Sequence, residues 1–379
     1  MKIHFLLPGM VVMALSCSKN QKTAESYTHG PHPVYPVSVN DENTLFKIDS
    51  VFRLESIIPL EASTISAMGE LFKGIVHEGN FYMHDFFNNN LLVFGSDGQF
   101  MHRVGKMGKG PEEYLELRDF MISGDCIYTL DYKKIHCYTV NEGKYQYTIP
   151  LNIIEFNPLQ FLVFDKNNYY LWESNPEAKD EASKREKYRL IRVNNGEISG
   201  QYFRFTNECF DDQRFFRCSN GNYFIRPALG DYTVNMVAKN SVSASFCIDF
   251  GNKSLPAGFL KDKNNSLNDC LKNAYFKSPR KIYDMNDYMY FNNIGTGSFL
   301  YEGLINKKSK KVYYGREDAK CNPVIFYSDG NFLYGYYEPG VFLKQDGCKS
   351  CSIFRTVKEK LQDKVSSNDN LIIVKLSLK

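Results

Sequence analysis

Tryptophan is nearly absent from this chain, neither sign of charge is in excess, and long hydrophobic runs are missing. One Trp stands in 379 residues, and 46 Lys and Arg face 43 Asp and Glu, for a formal net charge of +3. So even a balance gives no basic field of the kind that gathers phosphates, and nucleic acid is excluded as an expected partner. No stretch reaches the roughly 20 consecutive apolar residues of a permanent membrane-spanning helix. There is no G-x-S-x-G nucleophile elbow and no H-E-x-x-H, and His84, His102 and His136 form no pair at metal-ligand spacing. Neither a metal nor a cofactor is therefore expected. What the chain does have is Phe and Tyr, 29 and 26 of them, in a composition that is 43% apolar. That is too hydrophobic for disorder, and these aromatics favour strands over helices, so an all-β fold is expected.

The N-terminus has its own composition. Lys2 gives a positive start, Phe5 to Leu15 is mostly apolar, and Ala14-Leu15-Ser16-Cys17 places a small residue directly before a cysteine. This stretch resembles a bacterial lipoprotein signal, with Ala14 where Leu is commoner. The resemblance implies a signal peptide over residues 1–16, cleavage before Cys17, and attachment to a membrane through a lipid on Cys17. From Ser18 to about Asn43 the chain is polar, carries Pro31, Pro33 and Pro36 and shows no periodicity, so residues 17–43 read as an extended tether. In lipoproteins of the Bacteroidetes type, acidic residues after the cysteine direct export to the cell surface. Residues 18–22 hold none, which points to the periplasmic side of an outer membrane.

Nine cysteines follow Cys17, an odd number for an oxidising compartment, so at least one is expected to be free or intermolecular. Cys126 with Cys137, and Cys209 with Cys218, are the candidate bridges. Cys348-Lys349-Ser350-Cys351 is a lone C-x-x-C without the second ligand pair of a zinc site or the βαβ context of a redox motif. It reads as a structural clip or idle thiols.

One short pattern recurs: a turn of Gly, Asn or Asp followed by an aromatic-rich strand. It appears at Gly79-Asn80-Phe81-Tyr82, Gly124-Asp125-Cys126-Ile127-Tyr128, Asn167-Asn168-Tyr169-Tyr170, Gly221-Asn222-Tyr223-Phe224, Asn286-Asp287-Tyr288-Met289-Tyr290 and Gly330-Asn331-Phe332-Leu333-Tyr334. Successive copies lie 45, 43, 54, 65 and 44 residues apart, so six units share a base period near 44. Turn signals divide the first unit into strands Lys73–His77, Phe81–Asp85, Leu91–Phe94 and Phe100–Val104. They divide the second into Phe120–Ile122, Cys126–Asp131, Ile135–Val140 and Tyr145–Ile149. A four-stranded antiparallel meander repeated at this period is a β-propeller blade. The sixth unit offers Val324–Tyr327, Phe332–Tyr336 and Leu371–Leu376 but no fourth strand, while Val51–Leu60 precedes the first unit and belongs to none. Pairing the two in one blade closes the ring and removes both open edges. The expected fold over residues 44–379 is a six-bladed β-propeller of four-stranded antiparallel blades, closed by an N-terminal strand in the last blade.

Several segments carry a resemblance: Ile58-Pro59-Leu60-Glu61, Phe81-Tyr82-Met83-His84-Asp85, Asp97-Gly98-Gln99-Phe100, Gly105-Lys106-Met107-Gly108-Lys109-Gly110-Pro111-Glu112-Glu113-Tyr114 and Asn368-Asp369-Asn370-Leu371-Ile372-Ile373-Val374. Together they resemble the six-bladed β-propeller lipoproteins common in Bacteroidetes, which are related to NHL-repeat propellers. The resemblance runs from Val51 to the end and is strongest from Leu60 to Pro150. It implies the propeller fold and an envelope location. Most members have no assigned biochemical role, so it implies no activity.

Strands of a blade run outward from a central channel, so connections from second to third strand share one face with those from fourth strand to the next blade. Four long segments fall in these connections: Gly105–Glu116, Asn175–Lys187, Gly251–Ser278, with a helical look around Leu267–Phe276, and Glu338–Asn370, with a predicted helix near Ile353–Lys364. The other connections are turns of a few residues, and the elaborated face is the expected ligand face. The glycine-rich loop there is not a phosphate cradle, because Pro111, Glu112 and Glu113 follow Gly110 where a P-loop continues with Lys and Ser or Thr. It either turns the chain from rim to channel with Tyr114 as anchor, or touches ligand through Lys109, Glu112, Glu113 and Tyr114. Asp85, Asp131, Glu173 and Asn292 each end a second strand. They form a polar ring for a cation or sugar, or they bond the backbone of adjoining turns. Trp172 is a stacking platform for a sugar or a core aromatic.

Two functions remain. The first is a lipid-anchored envelope propeller that binds a protein, peptide or glycan on its elaborated face without catalysis. The alternative is a metal-dependent propeller enzyme of the lactonase or NHL-type lyase kind, which needs at least three ligands converging within about 2 to 2.6 Å of one ion.

Overall fold

The computed structural model describes residues 32–39, 42–153, 156–173, 188–204, 214–226, 230–256, 259, 269, 272–345, 348 and 351–379. Its strands alternate with tight polar turns, and each run of four folds into one antiparallel sheet. Blade 1 comprises Leu71–His77, Asn80–Asp85, Asn90–Phe94 and Phe100–Arg103. Blade 2 comprises Asp119–Ser123, Cys126–Asp131, Lys134–Thr139 and Tyr145–Pro150, and blade 3 Gln160–Asp165, Asn168–Trp172, Tyr188–Asn194 and Glu197–Arg204. In blade 4 the strands are Phe215–Arg217, Tyr223–Ile225, Thr233–Ala238 and Ser241–Asp249, and in blade 5 Lys281–Met285, Tyr288–Ile294, Leu300–Asn306 and Val312–Glu317. Blade 6 joins the two ends of the chain. Val324–Ser328, Leu333–Tyr337 and Ile372–Leu378 come from the C-terminal part, and Phe52–Pro59 completes the sheet in antiparallel register from Ile372 opposite Pro59 to Leu378 opposite Phe52. The innermost strand of blade 1 touches those of both blade 2 and blade 6, so the ring is closed. The six-bladed propeller with its terminal closure is thus the fold.

Closure is reinforced at one glycine. Gly98, in the outer turn of blade 1, has φ +87°, and a Cβ there would stand 2.3 Å from the Pro59 carbonyl oxygen. Its own carbonyl accepts the Glu61 N–H at 2.8 Å, which ties blade 1 to the end of the closing strand.

The aromatic surplus fills the wedges between blades. Tyr82, Val93, Phe120 and Tyr138 form one buried cluster between blades 1 and 2, and Phe81, Phe94, Phe326 and Tyr334 another between blades 6 and 1. In strands of period two, one face of each sheet meets the preceding blade and the other the next. Near-continuous burial along Asn80–Asp85 and Cys126–Asp131 follows.

The tether expected over residues 17–43 ends sooner than the polar composition suggested. Val34–Pro36 pairs in parallel with Ser241–Asp249 as a fifth, outer strand of blade 4, and Leu45–Phe46 does the same for blade 5 against Val312–Glu317. Tyr35 and Val37 are buried between exposed neighbours, with the Tyr35 ring 5.8 Å from that of Phe246. The prolines hid this alternation. At a sheet's outer edge a missing N–H costs no ladder bond, so proline is tolerated there.

The insertion of blade 6 contains the expected helix, at Ser352–Leu361, which buries Ile353, Phe354, Val357 and Leu361 on one stripe against Tyr337 and Phe342. Cys348 is disulfide-bonded to Cys321, whereas Cys351 is a buried free thiol, so the C-x-x-C contributes one clip. The expected Cys126–Cys137 bridge is not formed, and both are free. The register puts Cys137 opposite Tyr128 and Cys126 opposite Thr139, two positions apart on a diagonal where Cα atoms stand about 7–8 Å apart, beyond normal disulfide reach. Cys17, Cys209, the insertion at 175–187 and, within the expected helical segment near 267–276, residues 267, 268, 270 and 271 lie outside the described residues.

Candidate binding face and channel mouth

The side chains at the ends of the second strands share one task. Asp85 Oδ1 accepts the Glu70 N–H at 3.2 Å, and Asp131 accepts those of Leu115 at 3.2 Å and Tyr132 at 2.7 Å. Glu173 Oε1 accepts the Asn157 N–H at 3.2 Å, and Asn292 Oδ1 that of Lys281 at 3.1 Å. In blades 1, 2, 3 and 5 a buried acid or amide thus holds the segment that enters the innermost strand. These four groups satisfy N–H groups that would otherwise be costly to bury, and they do so in four separate blades. Among the described residues, no three His, Cys, Asp or Glu side chains gather as a metal site.

The Gly105–Tyr114 loop is held in the same way. Glu113 accepts the Gly110 N–H at 2.8 Å and pairs with Lys106 at 2.8 Å. Tyr114 is buried and donates to the Asn89 carbonyl at 3.2 Å, with burial pushing its phenol up to about 12. The Glu112 carbonyl accepts the Tyr138 hydroxyl at 3.0 Å, while the side chains of Lys109 and Glu112 are exposed. Trp172 is buried beneath the Arg214 guanidinium, 5.0 Å from its ring, so it is a core aromatic.

Residues that sequence reasoning passed over line the channel mouth. Lys73, in the innermost strand of blade 1, donates to Asp119 Oδ1 at 2.8 Å and to the Phe120 carbonyl at 2.7 Å in blade 2. Asp119 Oδ2 in turn accepts the Phe161 N–H of blade 3 at 3.3 Å, and Gln160 accepts the Arg214 N–H of blade 4 at 2.6 Å. Lys281 of blade 5 donates to the Ile325 carbonyl of blade 6 at 3.1 Å. Each of these bonds passes from one blade to the next. Burial raises the pKa of Asp119, with Lys73 opposing, and burial, helped by Lys73, drops that of His84 to about 3. A signal for these residues exists in hindsight: a cation lies just before or within the first three residues of the innermost strand in blades 1, 2, 4 and 5, as Lys73, Arg118, Arg214 and Lys281.

Exposed apolar surface is concentrated on the same side. Of twelve large hydrophobic side chains that are exposed among the described residues, ten lie in the second-to-third-strand or blade-to-blade connections or at the strand ends beside them. They are Ile65, Phe72, Phe86, Phe87, Met107, Leu115, Tyr132, Phe299, Val324 and Val341. Phe72 stacks on Phe86 at 5.9 Å, and Phe86 meets Phe87 edge-on at 6.0 Å, with Phe87 72% exposed. Two cavities adjoin this patch. A groove of 620 Å³ separates Met68–Leu71 from the blade 6 insertion at Glu338–Val341 and Ser367–Leu371. The second, of 230 Å³, is the channel mouth between blades 1, 5 and 6. Below it the channel narrows to 40 Å³ among Ile75, Met121, Leu162 and Phe216.

Known proteins resemble this chain as follows. Residues 33–377 match the family described as "Domain of unknown function (DUF4934)". No curated protein matches the sequence. A putative exported protein from Bacteroides fragilis is 17% identical in sequence and superposes with a TM-score of 0.74 over 91% of this chain and 99% of that one. A member of the DUF4221 family from Bacteroides vulgatus is 10% identical, with a TM-score of 0.53 over 86% of this chain and 98% of that one. At these identities the likeness shows the fold alone.

Proposed function

The chain belongs to the DUF4934 family, whose description assigns no function, and from its own geometry we propose that it is a non-enzymatic binding module, held at the cell envelope by a lipid on Cys17, that presents its elaborated face to a protein or peptide. The observation that carries this reading is the gathering of ten of twelve exposed large hydrophobic side chains on that face. Exposed apolar patches of this kind, next to grooves, mark interaction surfaces. The enzyme reading loses its candidates, because Asp85, Asp131, Glu173 and Asn292 are each taken by backbone of their own blade. A glycan loses its platform with Trp172 buried. The envelope location rests on the Ala14-Leu15-Ser16-Cys17 signal and is supported by the fold shared with the Bacteroides fragilis protein described as a putative exported protein. The absence of acidic residues at 18–22 favours the periplasmic side, and the kinship with NHL-repeat propellers stays part of this proposal.

Two comparisons test it. The Phe86→Asp, Phe87→Asp double variant, purified from envelopes beside wild type and an Asp125→Lys control in a short turn, loses the co-purifying partner while the control keeps it. Equal recovery from all three contradicts the reading. Cys17→Ser moves the protein from the membrane to the soluble fraction; retention in the membrane removes the anchor.

A further inference from the structure

The groove of 620 Å³ beside the exposed aromatics has walls that are fixed before anything enters it. On one side Asn370, itself buried, accepts the Met68 N–H at 2.8 Å and donates to the Glu61 and Ser66 carbonyls at 2.6 and 2.8 Å, which bolts segment 61–68 to the end of the blade 6 insertion. On the other side Lys358 donates to the Phe342 and Leu343 carbonyls at 3.2 and 2.9 Å and holds the short helix Pro339–Phe342. A groove formed in advance leaves little to order on binding, which favours its occupant. Building on the reading of a protein- or peptide-binding face, we propose that this groove and its aromatic rim take a surface segment of a partner protein in which an arginine or lysine stands next to an apolar side chain.

Three features select that segment. The lining offers apolar contact through Met68, Leu71, Pro339 and Val341, the last of them 50% exposed. The rim is aromatic and continuous with the groove. Phe87 sits over Gly69 in the wall, where a Cβ would come 3.0 Å from the Phe87 Cβ, and Phe86 and Phe72 continue the row. Exposed aromatic faces attract a guanidinium or an ammonium, and the planar guanidinium stacks on them best. The charge favours the same group. Glu338 and Asp369 line the groove, and among the described residues neither joins an ion pair. The Asp85 carboxylate, 3.4 Å from where the Gly69 Cβ would stand, is bonded by the Glu70 N–H and the Asn88 amide rather than by a cation. Against them the lining holds one cation, the exposed Lys344. Glu70 borders the channel mouth as well, and burial, reinforced by Glu338 and Glu70, pushes the Tyr336 phenol up to about 12. A basic segment enters this field at a gain and an acidic one is repelled.

The test uses two pools of random nonapeptides with a fixed centre, Arg-Leu-Arg in one and Glu-Leu-Glu in the other. Each is passed over the immobilised full chain, and retained peptides are quantified by mass spectrometry. The Arg pool is expected at about ten-fold or greater recovery over the Glu pool. The Glu338→Lys, Asp369→Lys double variant turns the preference towards the Glu pool, a gain that an unfolded chain does not produce. Glu142→Lys, in a short turn on the other side, leaves the ratio unchanged. Phe87→Ala lowers retention of the Arg pool about three-fold or more. Raising salt from about 50 to about 500 mM lowers the wild-type ratio, a readout that needs no variant to fold. Equal recovery of both pools, or an unaltered ratio in the double variant, overturns the inference while leaving the binding face intact. Recovery of neither pool overturns it too, and the partner recovered from envelopes with and without Phe86→Asp, Phe87→Asp then decides the face on its own.

Discussion

The two sides of the ring are built from the same strands, yet they use the same residue types differently. On the short-turn side Asp and Asn bond their own turns: Asn220 accepts the Asn222 N–H at 3.1 Å, Asp165 that of Asn167 at 2.9 Å, and Asp329 that of Asn331 at 2.9 Å. These are local bonds that any exposed hairpin makes. On the elaborated side the equivalent groups reach back to the segment 11 to 16 residues earlier, and Lys73, Asp119 and Gln160 reach into the next blade. Loops there start from a frame fixed by buried polar bonds, which lets long insertions and exposed aromatics be added without loosening the ring. The short-turn side also has bonds between blades, as where Asp284 accepts the Ser219 N–H at 2.9 Å and Asn286 donates to Asn331 at 2.9 Å, yet it carries no such additions.

That difference is sharpened first by Lys73→Met. It leaves Asp119 buried without its ammonium, and a loss of about 3–5 kcal/mol in denaturant unfolding is expected. A change under about 1 kcal/mol would mean that the pair is no part of the frame. Asp131→Ala removes the acceptor for the Leu115, Glu116 and Tyr132 N–H groups and is expected to cost about 2 kcal/mol, read the same way.

The pH dependence comes from this side as well. Glu302 lies near the start of the third strand of blade 5, buried where Asn322 donates to it at 2.5 Å and Tyr290 bonds it too, and burial lifts its pKa from 4.5 to about 8. Below about 4.5 the carboxyl is neutral in both states. Between about 4.5 and about 8 only the unfolded chain is ionised, so stability falls as pH rises through this window. Thermal melts at pH 5 to 8 check it: the contribution is about 1 kcal/mol per pH unit, and Glu302→Gln flattens that slope. On the opposite side, Asn220→Ser changes stability by less than about 0.5 kcal/mol; a larger loss would erase the contrast between the faces.

How much of this was legible in sequence follows from range. Turn residues followed by aromatic strands are local signals, and the strands of blades 1, 2 and 6 fall within two residues of the positions they predict. The vacancy in blade 6 was visible because one strand was missing from one unit and spare before another. Val34–Pro36 was not, since its alternation spans four residues broken by prolines. Asp85 and Asp131 stayed ambiguous because an acid at a strand end looks the same whether it faces ligand or backbone. The Lys73–Asp119 pair joins residues 46 apart that meet only once the ring has formed, so no local pattern announces it.

The most direct test of the central claim places a photo-crosslinking amino acid at Phe87 in one strain and at Asn220 in another, and irradiates intact cells. The account predicts a discrete adduct from position 87 and none from position 220. Adducts from position 220 alone, or equally from both, would contradict a single binding face.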